Sequence, residues 1–205
     1  MAFTVVPTAL DGVVIIEPPV FADARGFFLE SWHQARYAEA GLPPFVQDNV
    51  SQSSRDTLRG LHAQEPFGQG KLVQVLDGEV FDVAVDIRVG SPTFGRWAGE
   101  FLSAVNHRQI YIPPGFAHGF CVTSERAIFA YKCTEFYHPE TEFSIAWNDP
   151  DLNIAWPVDA PIVSQKDARA ARLKDIARDR HCQLFDLKRL SIQRHHRYRG
   201  AALQA

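Results

Sequence analysis

The sequence predicts a mainly β protein, an antiparallel sandwich or barrel, from three observations. Short runs of β-branched and aromatic residues recur from residue 71 to residue 147. Turn-forming clusters of Pro, Gly, Asn, Asp and Ser separate these runs, and almost no helical periodicity stands between them. Many short strands joined by such turns are typical of two-sheet sandwiches and of small barrels.

Two of the runs, Lys71–Leu76 and Glu79–Arg88, are joined by the dipeptide Asp77-Gly78. This dipeptide predicts a β-hairpin with a type I′ turn, because both turn residues must adopt positive φ. Apolar residues alternate with polar or small ones in the second run. We therefore expect one buried face and one face that is polar or lines a cavity.

Five shorter strands are predicted downstream of this pair. They are Trp97–Leu102, Gln109–Ile112, Phe116–Val122, Ala127–Tyr137 and Phe143–Trp147. Turn signals separate the strands at Ser91-Pro92-Thr93, Pro113-Pro114-Gly115 and Asn148-Asp149-Pro150.

Helical character is confined to two segments. Gln34–Ala40 is a short candidate that is followed by a glycine. A longer helix near the C-terminus is predicted from about Asp167 to Arg180, where Ser164 and Asp167 resemble a capping box.

The chain has 205 residues, of which 46% are hydrophobic, and these values fit one globular domain. We predict a single domain over residues 1–187 and a basic tail over residues 188–205. Within this tail, Lys188–Arg199 holds five Lys or Arg and two His without any acidic residue. A solvated tail and a polyanion-binding arm are both compatible with this pattern.

Charge and cysteine content limit the classes of function. The formal net charge is −3 and the isoelectric point is near 6.2, so no nucleic-acid partner is expected. The cysteines Cys121, Cys133 and Cys182 form no closely spaced pair, which favours a reducing compartment. The longest early apolar run, Val13–Ile16, is too short for a signal peptide or a membrane span. These features predict a cytoplasmic protein without a membrane partner.

Two histidines stand in suggestive motifs. The run Pro113–His118 matches the Pro-x-Gly-x-x-His pattern of cupins, which implies an antiparallel jelly-roll barrel. Many cupins bind a metal through this histidine and a His-x-His of an earlier strand, but here the earlier strand has His62-Ala63-Gln64. Because catalytic metals generally need three protein ligands, we expect no metal site.

Without a metal, His62 can act as a base, since imidazole accepts a proton near neutral pH. Such a base works best when a carboxylate holds its second nitrogen. The candidate carboxylates are Asp82, Asp86 and Asp167. Arg59 and Lys71 add positive charge near the same strands, which suits an oxyanion or a phosphate. A structural histidine is the alternative.

These residues belong to a set of segments that resembles the dTDP-4-dehydrorhamnose 3,5-epimerase family over residues 3–170. The matching segments are Arg25-Gly-Phe-Phe-Leu-Glu30, Gln47-Asp-Asn49, Arg59-Gly-Leu-His62, Gln69-Gly-Lys71, Ser91-Pro-Thr-Phe-Gly95, Gly115-Phe-Ala-His-Gly-Phe120, Tyr131-Lys132, Tyr137, Glu142, Trp147-Asn-Asp-Pro150 and Lys166-Asp167. The resemblance implies a cofactor-independent epimerase that inverts C3 and C5 of dTDP-4-dehydro-6-deoxy-D-glucose and yields dTDP-4-dehydro-L-rhamnose.

The resemblance also implies four catalytic residues. His62 would remove the protons beside the C4 ketone, and Asp167 would pair with His62. Lys71 would stabilise the enolate, and Tyr131 would return a proton on the opposite face of the sugar. Two of these residues have a simpler alternative, because Asp167 could cap a helix and Tyr131 could be a core aromatic.

Substrate-binding residues are implied in the same way. Tyr137 would stack on the thymine, and Arg25 and Arg59 would bind the diphosphate, which guanidinium groups can contact in bidentate fashion. The remaining implied binding residues are Glu30, Gln47, Asp48, Asn49, His118, Glu142 and Lys166. In the family, the segment with Arg25 and Glu30 reaches the partner subunit's site, so a homodimer is implied.

Three other functions stay open. An enzyme that epimerises only C3 or only C5 in an antibiotic-sugar pathway would keep the same motif residues. A metal-dependent cupin is disfavoured by Gln64. A non-catalytic sugar-nucleotide binding module would use the same pocket without turnover.

Overall fold

The computed structural model describes residues 2–176, in which thirteen strands and two short helices follow one another. The strands are β1 (Thr4–Pro7), β2 (Val14–Glu17), β3 (Val20–Asp23), β4 (Gly26–Leu29), β5 (Gln47–Ser54), β6 (Leu58–Gln64), β7 (Lys71–Asp77), β8 (Glu79–Asp86), β9 (Trp97–Ser103), β10 (Gln109–Ile112), β11 (Phe116–Val122), β12 (Arg126–Cys133) and β13 (Glu142–Ser144). The helices are α1 (Gln34–Glu39) and α2 (Gln165–Ala168), and a 3₁₀ turn follows at Leu173–Asp175. No helix in this range is long and apolar enough to cross a membrane.

The strands form two large sheets and one hairpin. The six-stranded sheet has the order β1-β2-β10-β7-β12-β5, and the five-stranded sheet has the order β13-β6-β11-β8-β9. All of these neighbouring strands run antiparallel, as do β3 and β4 in the separate hairpin. The predicted mainly β, cupin-type antiparallel jelly-roll barrel is confirmed.

The largest apolar cluster fills the space between the two sheets. Val73 and Val75 of β7 meet Val80 and Ala84 of β8 there, together with Phe129 of β12. These side chains stand at alternate positions because successive residues of a strand point to opposite faces. The interior of the barrel is therefore mainly apolar, with Asp82 on the same face of β8 as Val80 and Ala84.

The connection at Asp77-Gly78 does not form the predicted hairpin. β7 belongs to the six-stranded sheet and β8 to the five-stranded sheet, so the chain crosses between the sheets at this point. Only Gly78 has a positive φ, 77°, whereas a type I′ turn needs two such residues. A Cβ on Gly78 would lie 2.0 Å from the carbonyl oxygen of Arg126. The hairpin prediction was wrong, because turn-forming residues do not determine whether the strands that they join also pair.

Both faces of β8 are buried. Phe81 and Val85 pack in a second apolar cluster that includes Leu173 of the 3₁₀ turn. Asp82 and Asp86, on the opposite face, are 0% exposed. The alternation in the sequence therefore predicted the two faces, and the polar face points into the barrel.

The other predicted elements differ mainly at their ends. β10 and β11 have the predicted bounds, whereas β12 ends at Cys133 and β13 is limited to Glu142–Ser144. The helix predicted from Asp167 ends at Ala168, because the carbonyl of Ala171 accepts a hydrogen bond from Ala146 (2.8 Å) and leaves the helical path. Residues 177–180 of that prediction and the basic tail lie outside the described residues.

Candidate active site

A cleft opens where β6 ends and β7 begins. Its walls include His62 and Gln64 from β6 and Lys71 from β7. Tyr137, from the loop before β13, and Glu142, from β13 itself, also line the cleft. Distant parts of the sequence are thus brought together, and four of the predicted site residues lie in this one cleft.

His62 is paired with Asp167 across the edge of the cleft. The His62 Nε2 and the Asp167 Oδ1 are 2.7 Å apart, and the Asp167 side chain is only 4% exposed. Burial alone would raise the pKa of Asp167, but hydrogen bonds from His62, from Ser164 and from the Gly60 backbone lower it below its ordinary value. Asp167 is thereby held as a carboxylate. When Nε2 carries the hydrogen, Nδ1 of His62 is the basic nitrogen.

The helix α2 fixes the position of Asp167. Ser164 is the N-cap residue, and its hydroxyl accepts a hydrogen bond from the Asp167 N–H at 3.0 Å. The predicted capping position is therefore correct for Ser164. Asp167 does not serve as the cap, since its own carboxylate turns toward His62.

Gly60 allows β6 to approach β11 closely enough to set the register of His62. Its φ is 116°, and a Cβ there would lie 2.6 Å from the Cα of Gly119. In the resulting register, His62 stands opposite His118 on β11. The Arg-Gly-Leu-His segment therefore contains glycine for a steric reason.

His118 makes a second histidine–carboxylate pair, with Asp82 of β8. The His118 Nε2 and the Asp82 Oδ2 are 2.9 Å apart, and both side chains are buried. Burial lowers the pKa of His118, Asp82 partly opposes this change, and the nearby Lys71 and His62 add to it. From sequence, Asp82 was a candidate partner of His62. The antiparallel pairing of β8 with β11 instead places Asp82 beside His118.

Lys71, the first residue of β7, brings a cation into the cleft. Burial lowers the pKa of its ammonium group, while the fields of Cys133, Glu142 and Asp82 raise it. A positive charge with little solvent around it interacts strongly with any anion that enters.

Tyr131 lies inside the barrel on β12, partly buried against the central apolar cluster. Its ring is 5.8 Å from that of Phe129. Burial raises the pKa of Tyr131, and so does the charge of Glu142, whereas Arg59 lowers it. Tyr131 therefore packs as a core aromatic and also lies within the electrostatic field of the cleft.

A chain of polar contacts forms the mouth of the cleft. The Tyr137 hydroxyl donates to the Glu142 Oε2 at 3.1 Å, and Lys166 forms an ion pair with the same carboxylate. The Tyr137 N–H donates to the Gln47 Oε1 at 3.0 Å, and the Gln47 amide donates in turn to Asn49 at 3.2 Å. Burial raises the pKa of Tyr137, and Glu142 raises it further. Five predicted binding residues are thus linked.

Arg59 points from β6 toward solvent, and its Nε donates to the Ser53 hydroxyl at 3.0 Å. This contact uses one of the five N–H groups of the guanidinium, so the others can bind an anion.

Three predicted binding residues lie away from this cleft. Arg25 is at the tip of the β3–β4 hairpin, with its side chain 89% exposed and paired with Asp23. Glu30 forms an ion pair with Arg36. Asp48 is paired with Lys132 at 2.9 Å on the outer face of β5.

The position of the missing cupin ligand is occupied by a buried amide. Within residues 2–176, no group of three or more His, Cys, Asp or Glu side chains is arranged to hold a metal ion. Gln64 instead bonds to the backbone of two loops. From the sequence, Gln64 was recognised only as the residue that replaces a metal-binding histidine. Its role in joining the loops could not be predicted, because its hydrogen-bond partners are backbone groups.

Comparison with known proteins identifies the family. The sequence model of dTDP-4-dehydrorhamnose 3,5-epimerases matches residues 7–175. A dTDP-4-dehydrorhamnose 3,5-epimerase of Pseudomonas aeruginosa is 57% identical over 170 residues, which cover 82% of this chain and 94% of the relative. A dTDP-4-dehydrorhamnose 3-epimerase of Streptomyces niveus is 44% identical over 176 residues, or 84% of each chain.

A solved structure of similar shape is the dTDP-6-deoxy-D-glucose-3,5-epimerase of Legionella pneumophila, in complex with dTDP-4-keto-L-rhamnose. It is 54% identical with a TM-score of 0.87, and the alignment covers 89% of this chain and 98% of that one. The chain belongs to the dTDP-4-dehydrorhamnose 3,5-epimerase family.

Proposed function

We propose that this chain is a cofactor-independent epimerase that inverts C3 and C5 of dTDP-4-dehydro-6-deoxy-D-glucose to give dTDP-4-dehydro-L-rhamnose. The observation that carries the proposal is the His62–Asp167 pair, whose histidine borders a cleft that also contains Lys71. A positioned base beside a fixed cation suits proton abstraction next to a ketone. Membership of the epimerase family supports the same reaction.

His62 removes the two α-protons in separate steps. C3 and C5 both flank the C4 ketone, so the electron pair of either broken C–H bond is delocalised onto the ketone oxygen. The Nδ1 of His62 takes the proton while Asp167 holds Nε2–H and stabilises the imidazolium.

Lys71 stabilises the enolate that results. Its ammonium group is in a partly buried position, where a charge acts on the enolate oxygen with little solvent screening.

Tyr131 delivers a proton to the opposite face of the ring, because inversion requires a donor across the sugar from the base. Burial raises the pKa of Tyr131, so the phenol keeps its proton at neutral pH and can give it up to the enolate. Before the second carbon reacts, His62 releases its proton and Tyr131 regains one.

The nucleotide is held at the mouth of the cleft. The half-exposed ring of Tyr137 stacks on the thymine. Arg59 pairs with the diphosphate. Gln47, Asn49 and Lys166 surround the same region through their contacts with one another, Tyr137 and Glu142. His118 and Glu142 line the sugar-binding part.

The active assembly is a homodimer in which the β3–β4 hairpin reaches the partner's cleft. Phe21 and Phe28 are cross-strand partners on this hairpin, and they are 51% and 62% exposed. Such a contiguous apolar surface suits a protein interface. In such a dimer, Arg25 and Glu30 would contact the substrate bound in the partner's cleft, because both residues lie away from the cleft of their own chain.

The second candidate is an epimerase that inverts only one of the two carbons. It would use the same base, cation and acid, so the site geometry does not separate the two reactions. The double epimerisation is favoured by the higher identity to the P. aeruginosa 3,5-epimerase, 57%, than to the S. niveus 3-epimerase, 44%.

The cysteines support a cytoplasmic location for the enzyme. Cys121 and Cys133 are buried free thiols, and free thiols persist in a reducing compartment such as the cytoplasm.

Product analysis by NMR in deuterated water tests the proposal, with dTDP-4-keto-6-deoxyglucose as substrate. We expect deuterium at both C3 and C5 and the L-rhamno configuration in the product. Deuterium at one carbon only would support the single epimerase, and an absence of label would contradict both. A His62→Ala variant that turned over normally would overturn the role of His62. Loss of activity after exhaustive chelation would instead support a metal-dependent cupin.

A further inference from the structure

Gln64 ends β6 and borders the cleft two residues from His62. Its side chain is buried, with the residue 7% exposed, although an amide is costly to bury unless its donors and acceptor are all bonded. The contacts of this amide therefore indicate what it does.

The amide forms three hydrogen bonds with backbone groups. Its Nε2 donates to the carbonyl oxygens of Phe67 at 2.5 Å and Phe136 at 3.0 Å. Its Oε1 accepts from the N–H of His138 at 2.8 Å. Phe136 and His138 are the two residues on either side of Tyr137, so Gln64 holds the backbone of Tyr137 from both directions.

Gln64 thereby joins two loops that form the rim of the cleft, one between β6 and β7 and one between β12 and β13. The rings of Phe67 and His138 stack across the same junction with their centroids 4.6 Å apart. The Gln69 amide adds one more bond, to the Glu135 carbonyl at 2.9 Å. The two loops therefore form one connected rim.

We propose that Gln64 is a positioning residue that fixes Tyr137 at the mouth of the cleft and thereby sets the affinity for the nucleotide. This inference rests on the proposed function, since it assumes that Tyr137 binds the thymidine part of the substrate. Gln64 acts on binding and leaves the proton transfers at His62 unchanged.

Only an amide can make this set of bonds. A glutamate in its place would direct a charged oxygen at two carbonyl oxygens and would lose both donors. Methionine has a similar length but would leave two carbonyls and one N–H without partners in a buried position. We therefore expect both Gln64→Glu and Gln64→Met to release the loop that carries Tyr137.

The test measures dTDP binding by calorimetry, together with kcat and KM for the keto sugar nucleotide. Both variants are expected to raise the Kd for dTDP and the KM about tenfold, while kcat stays within about twofold. Hydrogen exchange should become faster in residues 65–70 and 134–141. The matched control is Gln52→Glu, the same chemical change at an exposed position of β5, and it should leave all of these values unchanged.

Two outcomes would overturn the inference. The first is an unchanged Kd and KM in folded variants, even if their melting temperatures fall, because Gln64 would then be merely structural. The second is a fall in kcat without a change in KM, because Gln64 would then act on the chemistry. If the unaltered protein bound no dTDP, the proposed function itself would fail, and this result is distinguishable from both.

Discussion

At the scale of single residues, the pairing of His62 with Asp167 leads to a prediction for Asp167→Asn. The amide can accept a hydrogen bond from Nε2, but it cannot balance the charge of the imidazolium. We expect kcat to fall by about 100-fold or more, since positioned acid–base groups contribute factors of this size. Steady-state kinetics measure the loss. Binding of dTDP should not change, and a parallel loss of dTDP binding would contradict a role confined to His62.

The division of work between base and acid predicts a different effect of Tyr131→Phe. His62 remains in place, so an α-proton of the substrate should still exchange with solvent deuterium. Inversion should fail, because no donor is left on the opposite face. NMR follows exchange and configuration in the same sample. Loss of both in a folded variant that still binds dTDP would show that Tyr131 does more than return the proton.

Motif resemblance marked the cleft residues His62 and Lys71 in advance, because their chemistry is carried by residue type and local sequence. The resemblance also implied Asp167 as the partner of His62, whereas residue types alone left Asp82, Asp86 and Asp167 open. Asp82 and Asp167 are both near histidines in the structure. The register of β8 against β11 decides the partner of Asp82, and the packing of α2 against β6 decides that of Asp167. Register depends on contacts between distant segments, which a single sequence does not display.

At the scale of the strand, the close approach of Gly60 to β11 predicts that a methyl group at this position lowers the stability of the protein. In Gly60→Ala, the Cβ would lie 2.6 Å from backbone of β11, at a φ that side chains rarely adopt. We expect a loss of about 2 kcal/mol or more in the free energy of unfolding, measured by urea denaturation. Gly90→Ala is the matched control, because its φ is also positive, 84°, while no atom lies within 4 Å. Equal losses in both variants would rule out the steric contribution.

The connection after β8 is held by Asp86, which gives a prediction for stability against pH. Burial alone would raise the pKa of Asp86, but hydrogen bonds from Arg88, Ser91 and Thr93 lower it. We expect Asp86→Asn to lose about 3 kcal/mol at pH 7, since it breaks a buried charged pair. Because the folded pKa lies below the unfolded value of about 3.9, the stabilisation is complete above that value and is lost as the pH falls through the folded pKa.

Urea unfolding at a series of pH values tests whether the stabilisation by Asp86 is lost as the pH falls. The difference in the free energy of unfolding between the original protein and the Asp86→Asn variant should become smaller in acid. Asp48→Asn, which removes one half of an exposed ion pair, should cost less than about 1 kcal/mol at any pH. A difference for Asp86→Asn that stayed constant down to pH 2 would contradict the assignment to its ionised form.

Strands with strong apolar patterns were predicted closely, and β10 and β11 have the expected bounds. No bounds were predicted for the strands before residue 71. β3 and β4 show why, because all their residues except Leu29 are exposed and therefore lack the alternation that burial produces. The end of α2 was also missed, since a bond between Ala146 and Ala171 determines it.

At the scale of the whole molecule, the proposed homodimer predicts that two inactive variants restore each other. Arg25→Ala damages the site of the partner, whereas His62→Ala damages the site of its own chain. A dimer with one chain of each kind therefore has one site with both defects and one site with neither. We expect tagged, co-purified heterodimers to regain about half of the original activity per dimer. Activity no higher than that of either variant alone would show that Arg25 does not serve the partner.

The crossing of the chain between the sheets at Gly78 has a consequence for how the protein folds. β7 and β8 are adjacent in the sequence but lie in different sheets, and β5 pairs with β12, which is more than 70 residues away. Such non-local pairing makes folding slow compared with helical domains of the same size, because long loops must close first. Neither sheet can form from the N-terminal half or the C-terminal half of the chain alone. We therefore expect tryptophan fluorescence and far-ultraviolet circular dichroism to report one shared unfolding transition.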